Sequence, residues 1–162
     1  MCGIVGLFAK KDNISANLGF HLSKMLESMS DRGPDSAGLA IYGKPIPKRA
    51  KIMVQSQSPK DDFQKLKKLL SAKKEISFSF ATHSTHAVIK LDVKQKDKVT
   101  NLINETFPNL RILSVGKKME IYKEVGKPAE VVKRFQIAKM KGTHGIGHTR
   151  MATESAVTTL GA

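Results

Sequence analysis

Cys2 is the only cysteine among the chain's 162 residues and stands directly behind the first methionine. A small residue at position two lets Met1 be removed, which leaves a thiol and a free α-amine on the same residue. Such an amine titrates at about 7.7–8.0, so near neutral pH part of it is unprotonated and able to take the thiol proton, directly or through a water. One residue would then be nucleophile and base together, with no histidine partner. Taken alone, Cys2 is equally well explained as an accident of sequence behind a start codon. The five histidines raise a second chemistry, since His83 and His86 stand three apart and His144 and His148 four apart. A zinc site needs several such ligands converging, each held by a further partner. There is no second cysteine, and His144 and His148 fall in a strand-like segment rather than on one helix face, so no metal site is expected. The glycines at 142, 145 and 147 run G-x-x-G-x-G, which is not the dinucleotide-binding pattern, and no Walker sequence occurs.

Three segments together narrow the reading. Met1-Cys2-Gly3-Ile4-Val5-Gly6, Asp31-Arg32-Gly33-Pro34-Asp35-Ser36-Ala37-Gly38 and Gly147-His148-Thr149-Arg150-Met151-Ala152-Thr153 follow one another in that order. They resemble the opening, the arginine-glycine loop and the glutamine-gripping loop of class II glutamine amidotransferases, which are N-terminal-nucleophile hydrolases. The resemblance covers most of the chain, though across 84–141 it rests on general layout rather than on motif residues. It implies that Cys2 attacks the side-chain amide of glutamine. It implies also that Arg150 grips the α-carboxylate of glutamine by a two-pronged ion pair, the geometry to which guanidinium is suited. By the same resemblance Thr153 places a hydroxyl on bound substrate, and Arg32 with the tight Gly33-Pro34 turn holds the end of the cysteine-bearing strand. His148 is then explained as packing behind the pocket, and Asp35 as a turn or cap residue. No cofactor is implied in this domain.

Within the family, the MCGIVGLF opening, DRGPDSAG and GHTRMATES, with a long lysine-rich stretch between the last two, look most like stand-alone amidotransferase subunits related to glutamate synthase. Some members of that group belong to N-methylglutamate synthase complexes. Glutamine, and a synthase subunit or domain that receives ammonia, are therefore the expected partners. Phosphoribosyl-pyrophosphate, fructose-6-phosphate and aspartate amidotransferases are the alternatives within the family. A basic regulatory or scaffold subunit without activity is the alternative outside it. In one respect the chain departs from the pattern. The Asn-Gly pair of the family's oxyanion hole occurs nowhere in it, and it runs only twelve residues past Arg150, short of the aspartate that receives the α-amine of glutamine. Oxyanion donors are worth roughly 10²–10³ in turnover. The expectation is thus a fragment: residues 1–162 as the N-terminal part of a class II glutamine amidotransferase domain, with a lysine-rich, family-variable stretch at about 84–141, inactive by itself.

Charge does not change this. The net +14 comes from 28 basic and 14 acidic side chains, and residues 44–141 hold 23 of the former against 9 of the latter. Those lysines are scattered and fall mostly on the polar faces of expected helices. A nucleic-acid surface would interleave arginine with aromatics, and the chain has five arginines, two tyrosines and no tryptophan. A solvated surface, or a face that docks an acidic partner subunit, fits better, and no nucleic acid is expected. No run of eighteen apolar residues and no signal-peptide pattern occurs, so no membrane contact is expected. The absence of any internal disulfide suits a reducing cytoplasm.

The elements that must position these groups read as follows. Residues 3–9 are a buried strand. Leu18, Leu22, Met25, Leu26 and Met29 recur at helical spacing behind Ser15 as N-cap. Strands follow at 36–42 and 50–55, and Ser58-Pro59-Lys60-Asp61 places a cap, a first-turn proline and an acid at the start of a helix with Phe63, Leu66, Leu69 and Leu70 as its apolar face. Two β-type alternations lie within 75–91, and 95–107 reads as helix. Residues 110–115 and 118–124 look like a hairpin around Gly116, Pro128 opens a helix to about Met140, and the glycine-rich end is β-like. No regular βαβ repeat is present, so the fold expected is α+β with largely antiparallel sheets. The family resemblance narrows it to the N-terminal-nucleophile hydrolase type, layered antiparallel sheets flanked by helices (αββα), here incomplete.

Overall fold

The chain runs β1 (Gly3–Phe8), α1 (Asp12–Ala16), α2 (Leu18–Glu27), β2 (Ser36–Tyr42), β3 (Arg49–Gln55), α3 (Pro59–Ala72), β4 (Phe78–His83), β5 (His86–Asp92), α4 (Lys96–Thr106), β6 (Arg111–Gly116), β7 (Met119–Val125), α5 (Pro128–Arg134) and β8 (His144–Arg150). The structure is a computed structural model that describes residues 2–152 and 157–159. It divides into two units, residues 1–44 with 121–162 and residues 45–120. The fold is α+β, with two four-stranded sheets built on antiparallel pairing and helices packed on them.

In the first unit the sheet order is β1-β8-β2-β7, so the strand from the far end of the chain lies between the two from its beginning. Alternation along β8 turns Gly145, Gly147 and Thr149 to the side where they are buried and leaves Ile146 half exposed on the other. Leu18, Leu22 and Leu26 of α2 recur every four residues and are at most 1% exposed. Burying each such side chain contributes about 1.5–3 kcal/mol. A Cβ on Gly147 would stand 2.7 Å from Leu26 Cδ2 and 2.9 Å from Val5 Cγ2. Glycine at that position is what lets helix and strand approach so closely.

The second unit follows the order β3-α3-β4-β5-α4-β6, with its sheet arranged β4-β5-β3-β6. This is the split β-α-β-β-α-β arrangement, in which β5 is inserted between the two strands joined by α3. Phe63, Leu66 and Leu70 of α3 and Val99 and Ile103 of α4 meet Ile52, Val54, Ala87, Ile89 and Leu91 of the central strands in one core. Most lysines of this unit lie on exposed or half-buried positions. Lys51 is the exception, 8% exposed and paired with Glu120 at 2.6 Å.

β1, expected as a buried strand, is buried on one face only and exposes Ile4 and Phe8 on the other. Four further local expectations are corrected. Ser15 lies inside α1 rather than capping α2, because the chain breaks at Asn17, whose Nδ2 donates to the Asn13 carbonyl at 2.9 Å. Ser58 precedes α3 but its side chain caps nothing. Ser56 Oγ instead accepts from the Ser58 N–H at 2.8 Å and donates to Asp62 at 2.5 Å. β6 and β7 form no hairpin: β6 pairs with β3 in one sheet and β7 joins β2 in the other, so Lys117-Lys118 carries the chain from one sheet to the other. The helix opened by Pro128 stops at Arg134, because Gln136 adopts left-handed backbone at φ 52° and only a 3-10 turn, Ile137–Lys139, follows. The other strands and helices form within a few residues of their expected bounds.

Candidate active site

β8 decides where the motif residues meet. Its pairing with β1 sets Gly3 opposite Thr149 and Ile4 opposite His148, and its pairing with β2 sets Ala37 opposite Thr149 and Ser36 opposite Arg150. All three motifs therefore end at one edge of the first unit's sheet. Cys2 stands one residue before β1 at that edge and is exposed. Arg150 closes β8 and is half-buried.

The arginine-glycine loop is pressed against the end of β8. A Cβ on Gly33 would lie 2.5 Å from the Arg150 backbone nitrogen and 2.6 Å from Thr149 Oγ1. No side chain fits there, which is why the tight turn carries glycine. The Met29 carbonyl accepts from the N–H groups of Arg32 at 3.1 Å and Gly33 at 3.2 Å, and from Thr149 Oγ1 at 3.4 Å. A Cβ on Gly3 would come within 2.8 Å of the same Thr149 Oγ1 and 3.2 Å of Met29 Cβ. Gly3, Met29, Gly33 and Thr149 thus form the backing directly behind Cys2.

Asp35 clasps the other side. Its backbone N–H donates to the Arg150 carbonyl at 3.0 Å, and its carboxylate accepts from the Ala152 N–H at 2.7 Å. A hydrogen bond to an ionised acceptor is stronger than a neutral one, so the backbone on both sides of Met151 is fixed relative to the loop. Ser36, opposite Arg150, is fully buried and its hydroxyl has no hydrogen-bond partner among the described residues.

Of the residues expected from sequence, Cys2, Gly33 and Arg150 come together at this edge. Arg32 is exposed on the loop, and His148 is half-buried on β8, two residues before Arg150 and beside Ile4 and Gly38. Thr153 lies outside the described residues. Thr149, Met29 and Ser36 were not singled out from sequence. Thr149 sits inside the third motif, and strand alternation alone places it on the opposite side from His148; nothing in the sequence announces Met29 as a threefold acceptor. The histidines go elsewhere. His83 and His86 face each other across the two-residue turn of the β4–β5 hairpin, and His144 stacks on Tyr42 at 4.2 Å between ring centroids. Among the described residues no three histidine, cysteine, aspartate or glutamate side chains gather as metal ligands. A cavity of about 510 Å³ in this unit, lined by Asp12, Ser15, Lys44 and Lys141, lies at the other end of the sheet from Cys2.

Over all 162 of its residues the chain is 51% identical to a protein of Rhizobium meliloti named glutamine amidotransferase-like protein GlxB, of which it covers 54%. Over 165 aligned residues, 97% of this chain and 54% of the other, it is 32% identical to a Methanothermobacter thermautotrophicus protein named "Putative glutamine amidotransferase". The chain spans about half the length of these curated relatives. No family model matches the chain.

Proposed function

We propose that the chain is part of a class II glutamine amidotransferase domain that hydrolyses glutamine and releases ammonia to a partner synthase of the glutamate synthase-like kind. One observation carries this reading: β8 brings the residue after Cys2 opposite Thr149 and the arginine-glycine loop onto Arg150, so three motifs distant in sequence share one sheet edge. The two relatives, both named for glutamine amidotransfer, support it.

In this reading Met1 is removed and the Cys2 α-amine takes the thiol proton as sulfur attacks the side-chain carbonyl carbon of glutamine. The C–N bond breaks, the α-ammonium returns its proton to the leaving nitrogen, and ammonia departs from a thioester. Water adds to the thioester carbon and the C–S bond breaks, giving glutamate and the free thiol. Arg150 and Thr153 bind glutamine; Arg32 and Gly33 hold the loop behind Cys2, with His148 packed nearby. In this reading the first unit's sheet is part of the layered αββα arrangement of N-terminal-nucleophile hydrolases, the domain needs no cofactor, and the enzyme works in the cytoplasm. No helix among the described residues is long and apolar enough to cross a membrane.

Two measurements on the full-length protein test this. Intact mass should show Met1 absent from the active enzyme; a fully retained methionine in a protein that still hydrolyses glutamine would sink the mechanism. Arg150→Lys should raise KM for glutamine by about tenfold or more with little change in Tm, because lysine cannot reproduce the guanidinium fork. Unchanged glutamine kinetics would give Arg150 a structural role instead.

A further inference from the structure

The second unit carries a groove of about 470 Å³ whose lining includes Gln55, Gln57, Asn104, Asn109 and Arg111. It lies where β3 ends and β6 begins, and Gln55 and Arg111 are direct partners across that pair of strands. Asn104 comes from the last turn of α4, and Asn109 from the loop that leads into β6. The volume falls in the range of about 300–1,000 Å³ found for small-molecule sites.

Gln55 is the informative residue. It is 4% exposed, and its Nε2 is buried with no hydrogen-bond partner among the described residues. A buried amide left in that state is unfavourable. A leucine would fill this position without that penalty, and the amide gains a partner in the groove that Gln55 lines when the side chain turns toward a guest seated there.

The rest of the lining defines what enters. Its side chains include one cation, Arg111, and several neutral amides, and none is a carboxylate. That composition disfavours cations and metal ions, and it offers little to a purely aliphatic or aromatic guest. We infer that the groove binds a small carboxylate that also carries an amide or hydroxyl group. Arg111 takes the carboxylate, for which a guanidinium fork is shaped. Gln55 supplies the buried hydrogen bond, and the amides of Gln57, Asn104 and Asn109 meet the neutral polar end as donors and acceptors. This site lies wholly within residues 45–120 and does not depend on the chemistry assigned to Cys2.

The test is titration of the 162-residue chain with L-malate, L-glutamine, inorganic phosphate and L-lysine, followed by backbone amide resonances. L-malate or L-glutamine should give saturable shifts at residues 55, 57, 104, 109 and 111, and L-lysine none. Arg111→Met should weaken binding by about tenfold or more, the equivalent of about 1.4 kcal/mol. Gln55→Leu should also weaken it while leaving Tm unchanged or raised, since it removes an unpartnered buried amide. No saturable shift with either probe, binding indifferent to both substitutions, or tighter binding of phosphate than of either carboxylate would overturn the inference. Shifts with L-glutamine confined to residues near 2 and 150 would overturn it too, while supporting the glutaminase reading.

Discussion

Gly145 and Gly147 on β8 and Val54 and Ile89 on β3 and β5 occupy equivalent places, the interior strands of a four-stranded sheet on the side that meets a helix. In the first unit β8 carries almost nothing there, beside the buried Leu39 and Ile41 of β2, and α2 comes down close enough for Leu22 and Leu26 to fill the space over its glycines. In the second, the strands carry branched side chains and α3 and α4 are held off by them. Close backbone approach leaves little latitude in where strand ends sit, because there is no flexible side chain to adjust. Side-chain packing is more tolerant of substitution as long as volume is kept. The unit that holds the three sequence motifs uses the first kind of contact, and the other unit uses the second.

Substitutions can break that contrast. The largest effect should come from Leu66→Ala in the second unit, where a fully buried side chain at the centre of the core leaves a cavity. A loss of about 2–5 kcal/mol is expected by urea unfolding, with glutamine KM in the full-length protein unchanged. A matching change in KM would mean that the two units are not separable in function. Gly33→Ala should cost about 1–3 kcal/mol, because its Cβ meets the Arg150 backbone, which cannot swing aside. It should also reduce glutamine turnover well beyond its effect on folding. If Gly33→Ala were neutral in both respects, the close-approach account of the loop would fail.

Gly116→Ala sharpens the comparison from the other side. Nothing lies within 4 Å of a Cβ at that position, so the substitution should be neutral or stabilise by up to about 1 kcal/mol through the unfolded chain. A destabilisation as large as that of Gly33→Ala would show that the difference between the units is not one of space.

The smallest effect concerns Glu75. Its carboxyl is held below the ordinary value of 4.5, first by a hydrogen bond with its own backbone and then by Lys98 Nζ, which donates to it at 3.1 Å. A carboxyl lowered in the folded state adds stability above pH 4.5 and loses it as pH falls through the lower, folded value. Glu75→Gln should therefore be slightly less stable than the native chain at pH 7, with the gap closing progressively below pH 4.5. The side chain is exposed, so added salt should shrink the gap at pH 7 as well. Chemical denaturation midpoints at the two pH values and two ionic strengths decide this, and a gap that widens in acid would reverse the assigned cause.

The sequence by itself determined the element types and most of their bounds. Helical and alternating periodicities are local, and Leu66 with Leu70 or Phe78 with Phe80 report them directly. It also marked out the segments expected to carry chemistry, since Cys2 and the two glycine-rich motifs are legible as residue types in order. Pairing was left to the tertiary structure. The strands around Gly116 look like a hairpin locally, yet each joins a partner distant in sequence, β6 with β3 and β7 with β2. The same holds at the candidate site: Thr149, Met29 and Asp35 matter through contacts that span as many as 120 positions, such as Thr149 to Met29. No window of sequence contains both partners of such a contact. Only the insertion of β8 between β1 and β2 brings them together, because the glycines of β8 give α2 the room to close over it.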